Sequence, residues 1–489
     1  MIWREPPSHL IRYLIRIAIV LFILICSTHP ITAETIIEIS PVDTPEGVVV
    51  LIVDGLGSSY IYSELTPHAV DGSVLNKPEL SNLSSIYKNS ARIVDITTPR
   101  IDSDAGHSIL VTGNSEADGQ MVAYPGSTIY DILHENGYLA FAILEKGDSD
   151  QLLAEQDVVI HDTTTSINDP QMAVLINEHP ETVDPVLERS IAEIMQQHAD
   201  TAQTDIDQQL EGTIHRYNAY NLWALDTASD VIGTMSTTAP GNRYILTINV
   251  GAVDTAGHYR KDSGYAESIE YLDTILMPLY EQCIENDLAF VITSDHGMAF
   301  PSPDSRGGCQ SEKYASTSEV RMIPCIICSS NVPSGILDDS CGQEDIAPTI
   351  LSILNIPDEL PFADGNSITL KDRVNLKVET PAQSDIDISN EGGIIANASG
   401  GSEYVLLGLD RDQRYTLRVE SVVEDGSFSV QVKEIYAQGD MTVCFGSPSV
   451  PDEHGSEDHD QEDMRLAGSV LIIIINLSGL VLIIRIMKK

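Results

Sequence analysis

The sequence predicts an α/β fold: a mostly parallel sheet with helices on both faces, a helical insertion, a small C-terminal β domain and a C-terminal transmembrane helix. Three observations carry the sheet. Residues 48–53, 244–250 and 288–293 are short runs dominated by aliphatic side chains, without the polar alternation of a half-solvated strand, as expected for strands buried on both faces. Each run is followed within a few residues by an aspartate: Asp54, Asp254 and Asp295. Helical stretches lie between the runs; in 263–284, Ile269, Leu272, Ile275, Leu276 and Leu279 recur at helical spacing. Strands alternating with helices make parallel sheets, and sites in such sheets form beyond the carboxyl ends of the strands.

In chain order, residues 1–33 read as a signal peptide or N-terminal anchor. Arg4, Arg12 and Arg16 accompany an apolar run at 17–26, and Thr32-Ala33 offers small residues for cleavage. The main domain is expected over 47–370. Within it, 139–241 reads as a helical cap insertion, because long helical stretches are expected at 184–198 and around 207–234. Residues 322–328 read as a further strand. From 371 to 446 short strands separated by Gly, Asp and Asn turns predict the small β domain. Residues 447–465 are polar and acidic, as in a flexible stalk. Residues 466–484 carry no charge and are followed by Arg485, Lys488 and Lys489. About 20 apolar residues span a bilayer as a helix, and the basic tail places the C-terminus in the cytoplasm. The expectation is a single-pass protein of the cell membrane with its catalytic part outside the cell.

Lys and Arg total 27 against 73 Asp and Glu, a formal net charge of −46. Such a surface repels nucleic acid, so no nucleic-acid partner is expected. It reads as solvation for salty surroundings, or as an attraction for metal cations. Cys26 falls in the leader; Cys283, Cys309, Cys325, Cys328, Cys341 and Cys444 do not. An external location permits disulfides, but the spacing does not define a pairing. Cys325 and Cys328 form a CxxC inside an apolar strand, where residues three apart face opposite ways; core cysteines are expected there rather than a redox pair.

The chemistry-bearing residues are carboxylates and imidazoles at strand ends. Asp254-Thr-Ala-Gly-His258 can turn both side chains to one metal. Asp295-His296 adds a second such pair, and Asp54 a third carboxylate. This ligand set suits zinc, and manganese where carboxylates dominate. Two such sets on neighbouring strands suggest a two-metal centre able to clamp a phosphoryl group. A small-residue turn at 102–106 opens an apparent helix, placing Ser103 among free backbone N–H groups that favour phosphate oxygens. A serine before a helix more commonly serves as its N-cap. His107, four residues on, is a candidate proton carrier or a plain helix-face histidine. Arg100 and Arg260 are the arginines nearest the motifs.

The order of Asp54-Gly55, the turn from Asp102-Ser103 to Thr112-Gly113, Asp254-x-x-x-His258 and Asp295-His296-Gly297 resembles the alkaline phosphatase superfamily. The turn Ser103-Asp-Ala-Gly-His107 is similar to that of cofactor-independent phosphoglycerate mutases, and 344–354 to the helix near the end of many sulfatases and phosphodiesterases. The resemblance covers about 48–360. It implies an alkaline phosphatase-like fold and a metal-dependent hydrolase of phosphate esters. Ser103 would be nucleophile and metal ligand, Asp54, Asp295 and His296 would hold the same metal, and Asp254 and His258 the second. It implies two divalent ions, zinc foremost, with manganese or magnesium as alternatives. Attack by Ser103 on phosphorus would give a phosphoserine, which water or an acceptor hydroxyl releases. A phosphotransferase or mutase, or a surface binding protein with lost catalysis, are the other readings. A sulfatase fits less well, since no Cys/Ser-x-Pro-x-Arg follows the nucleophile. One departure stands out: the resemblance implies a further histidine on the second metal, yet no histidine lies between His296 and His454. Glu312, Glu319 or another loop could substitute, or the second metal could be weakly held or absent. Oligomeric state is not legible.

Overall fold

The computed structural model describes residues 34–145, 149–164, 166–177, 179, 185–337, 339–422 and 428–446. The expected N-terminal signal or anchor, the expected acidic stalk and the apolar run 466–484 lie outside the described residues. Among those described, no helix is long and apolar enough to cross a membrane.

The centre is a nine-stranded sheet. In spatial order its strands are Gly335–Leu337, Ala91–Ile93, Cys325–Cys328, Leu288–Thr293, Gly47–Val53, Tyr244–Val250, Leu139–Leu144, Val158–Asp162 and Met172–Ile176. The five from 288–293 to 158–162 run parallel, whereas 325–328 and 172–176 run against their neighbours. The α/β fold is therefore as expected, on a mixed sheet. Strand 47–53 shows why the aliphatic runs mattered. Val49, Leu51 and Val53 pack into one core with the helices Pro185–Asp207, Ile214–Thr238 and Ala252–Glu285. Val48, Val50 and Ile52 pack into another with Ser103–Thr112, Ile129–Glu135 and Ile346–Ile353. Each such side chain contributes about 1.5–3 kcal/mol by leaving water. Cys325 and Cys328 divide between the same two cores, and the six cysteines after Cys26 are all free thiols.

The stretch 139–241 differs from the expected helical cap. Its first third supplies three strands of the central sheet, and helices 185–207 and 214–238 cover one face of that sheet. Leu139–Leu144 is wholly buried, and an apolar run of that length fills a strand between two cores better than a helix with a wet face. The C-terminal region forms a second sheet with its own core around Leu376, Ile388, Leu406 and Leu417. Two of the expected short strands lie within one long hairpin, Arg373–Asn390 and Gly393–Asp410, interrupted by register shifts, and the others are the separate strands Gln413–Val422 and Phe428–Ala437. Thr35–Glu38, which carried no distinguishing signal, joins this second sheet by pairing parallel with Tyr404–Leu407.

Register positions the site. Val53 lies level with Val250, and Ile52 with Thr293. Three adjacent strands thus end flush, with Asp54 on the middle one.

Candidate metal centre

The aspartates beyond those strand ends converge. One ligand atom each of Asp54, Asp254 and His296 lie within 4.8 Å of one another, and all three residues are buried. His296 Nε2 is 3.9 Å from Asp54 Oδ1 and 3.4 Å from Asp295 Oδ2. His258 Nε2 lies 3.2 Å from Asp254 Oδ1, one helical turn away at the start of helix 252–285. Ser103 Oγ is 3.5 Å from His296 Nε2. The six residues singled out in the sequence therefore form one chain of contacts or shared ligand distances.

Local structure explains each placement. Asp295 Oδ1 accepts from the backbone N–H groups of Gly55 (2.9 Å) and His296 (2.8 Å), which leaves Oδ2 turned toward the imidazole. Gln343 Nε2 donates to the carbonyls of Ser294 and Asp295, both at 3.0 Å, bracing that strand end from the opposite core. Gly55 adopts φ +76°, and a Cβ there would stand 2.8 Å from that of Asp254, so the Asp-Gly turn needs its glycine. Asp102, not Ser103, is the N-cap: it accepts from Ala105 N–H at 3.2 Å. Ser103 is the first helical residue, and its hydroxyl is released from capping for the site.

The electrostatics are those of a site built for cations. Asp54, Asp254 and Asp295 are all buried at the three strand ends. Burial would raise the Asp295 carboxyl, but His296 and His107 hold it below the usual range. Burial would lower His296, but Asp295, Cys309 and Asp54 hold it well above. The hydrogen bond to Asp254, with a second to Cys309, pushes His258 up to about 10. His107 is buried with Nε2 4.0 Å from Asp295 Oδ2, a supporting position behind the carboxylate. Asp295 Oδ2, fully buried, accepts no hydrogen bond. Carboxylate oxygens and imidazole nitrogens gathered this way fit a divalent metal, whereas close buried carboxylates without one repel.

Cys309 is the residue that the sequence did not single out. Its thiol hydrogen-bonds to both His258 and His296; burial pushes it up, and those two bonds bring it down to about 7. The candidates considered instead point elsewhere: Glu312 is exposed, and Glu319 accepts from His68 N–H at 3.3 Å. An open cleft of about 420 Å³ adjoins the centre, lined by Asp254 and His258 together with Tyr217, Arg260 and Arg306. Arg260 lies over the Tyr217 ring and reaches its hydroxyl at 3.3 Å. Arg306 was not foreseen. Arg100 lies outside the cleft lining and faces Asp102 at 3.6 Å.

Fold and site together define a metalloenzyme-type centre at the carboxyl edge of an α/β sheet. Residues 214–358, which include Asp254, His258, Asp295, His296 and Cys309, match the family model described as Metalloenzyme superfamily, bearing out the superfamily read from the motifs. The chain is 23% identical to the 2,3-bisphosphoglycerate-independent phosphoglycerate mutase of Anaplasma phagocytophilum over 29% of this chain and 27% of that protein. It is 34% identical to the phosphopentomutase of Elusimicrobium minutum over 24% of this chain and 27% of that one. The chain thus spans about a quarter of the length of these curated relatives. Among solved structures, alkaline phosphatase PafA aligns at 12% identity with a TM-score of 0.47, over 68% of this chain and 99% of that one.

Proposed function

We propose that the protein is a metal-dependent hydrolase of phosphate esters that uses Ser103 as its nucleophile. The observation that carries the reading is Ser103 Oγ, freed from capping at the start of a ten-residue helix and 3.5 Å from His296 at the edge of the Asp54–Asp254–His296 cluster. Ser103 Oγ attacks phosphorus in line, while N–H groups of the first helical turn receive a phosphoryl oxygen. Asp54, Asp295 and His296 would hold one divalent ion, and Asp254 and His258 the second. Such ions, when bound, neutralise the phosphoryl oxygens and favour the ionised hydroxyl. Arg260 and Arg306, at the cleft beside His258, attract the ester's anionic group. Gln343 and Gly55 fix Asp295, so little reorganisation is left to the reaction. On the strength of residues 1–33 and 466–489, this reading places the catalytic part outside the cell on a single membrane tether.

A second reading, transfer to an acceptor hydroxyl as in a mutase, is favoured by the names of the sequence relatives. Both share the serine step and differ in what relieves it. Assaying the purified chain on p-nitrophenyl phosphate and its bis ester with zinc, manganese or magnesium, beside Ser103→Ala, tests the common step. Product analysis with and without added sugar alcohols separates the two. Free phosphate as sole product supports hydrolysis, phosphorylated acceptor supports transfer, and metal-dependent turnover that survives Ser103→Ala removes both.

A further inference from the structure

We propose that Cys309, as a thiolate, is a protein ligand of the second metal, completing the set begun by Asp254 and His258 and biasing that site toward zinc. The inference rests on the metal centre proposed above and assigns it a ligand that the motifs do not supply.

Four ligand-type side chains lie between His296 and Cys325: Asp304, Cys309, Glu312 and Glu319. Asp304 and Glu312 are exposed, and Asp304 pairs with Lys261 at 2.7 Å. Glu319 binds His68 N–H and its own neighbour Ser318, at 3.3 Å and 3.0 Å. Cys309 is the buried one, 4% exposed, and its sulfur meets both His258 and His296. Backbone bonds hold it there. Gly307 N–H donates to Gly257 O at 2.9 Å, tying the turn to the helix that carries Asp254 and His258. Gly308 N–H donates to Ala299 O at 2.9 Å, tying it to the segment that follows His296. Ala299, Val320 and partly buried Tyr314 pack with the cysteine on its apolar side.

The thiol does not stand alone. Asp54, Asp254 and His296 have ligand spacing among themselves, and the buried Asp295 Oδ2 next to His296 accepts no hydrogen bond. A thiolate joined to a carboxylate and an imidazole makes a borderline-soft site. Zinc and cobalt accept that set, whereas magnesium and manganese prefer oxygen alone. Cys309 would therefore set metal preference at the second site, and the first site, with Asp54, Asp295, His296 and Ser103, would remain the harder one.

The test is cobalt loading of the full chain. The expected result is a near-ultraviolet thiolate-to-cobalt charge-transfer band that disappears in Cys309→Ser, with one metal equivalent lost from Cys309→Ala. Cys309→His should restore the equivalent without the band. Cobalt bound to the unsubstituted chain with no such band overturns the inference, as does an unchanged metal count in Cys309→Ala; either would leave Ser103-dependent turnover intact. A chain that takes up no metal removes both this inference and the metal centre beneath it. The spectrum of the unsubstituted chain decides even where a variant fails to fold.

Discussion

Gly106 and Asp295 lie in backbone contact: a Cβ on Gly106 would stand 2.8 Å from that of Asp295 and 2.9 Å from its carbonyl oxygen. The helix that presents Ser103 is thereby seated directly on the strand end that presents Asp295 and His296. Gly106→Ala must push the two apart. The expected outcome is a loss of about 1–3 kcal/mol in denaturant unfolding, typical of overpacking, together with weakened metal binding. Normal metal affinity by calorimetry in this variant would show that the contact does not position the centre.

Metal uptake should release protons. In the metal-free protein Asp254 first, and Cys309 second, hold His258 up to about 10. The imidazole is thus charged at pH 7 and must shed its proton to bind a cation. Above about pH 7, where the Cys309 thiol is already ionised, affinity at that site should rise about tenfold per pH unit until pH passes 10, for one displaced proton. Calorimetry in buffers of different ionisation enthalpy measures the release, and His258→Ala should lower it by about one proton. Equal release from both proteins would place His258 outside the metal site.

Stability should fall between mildly acid and neutral pH because of Glu155. Burial first, and Asp131 second, raise its carboxyl to about 7, with His134 opposing. The native state therefore binds more protons than the unfolded chain between the ordinary glutamate value and pH 7. Stability contributed by the protonated form is lost as pH rises through that window. Glu155→Gln should flatten the decline and leave the variant more stable than the parent above pH 7, as read from urea midpoints at pH 5 and 8.

Lys371 joins the end of the main domain to the second sheet. Its ammonium donates to Asn355 Oδ1 at 2.8 Å and to Asp440 Oδ2 at 3.1 Å, and also to Ser352 O. The side chains of Lys371 and Asp440 are only 8% and 6% exposed. Lys371→Ala leaves the Asp440 carboxylate without its cation, and a cost of about 3–5 kcal/mol is expected. Lys371→Ala with Asp440→Asn should recover part of it; no recovery would mean that the ammonium acts through packing rather than charge.

Much of the site was legible because strand ends are marked in one dimension. Asp54, Asp254 and Asp295 each follow an aliphatic run, and parallel register does the rest. Ser103 was legible through its small-residue turn, although only the structure shows Asp102 taking over the cap. Cys309 was not. It sits in a loop whose path depends on two backbone bonds to distant segments, and among six cysteines nothing in its spacing distinguishes it. Strand 139–144 was hidden by the two long helices that follow it, whose periodicity dominated the region. Thr35–Glu38 pairs with residues more than 360 positions away, a partnership that no local pattern records.

The most direct measurement is acid quench of the metal-loaded protein during turnover of a phosphate ester, followed by mass analysis of the peptide bearing Ser103. The expected result is phosphate on Ser103, absent from Ser103→Ala and from chelated protein. Metal-dependent turnover with no phosphate on Ser103 under any quench would contradict the nucleophile assignment and the function built on it.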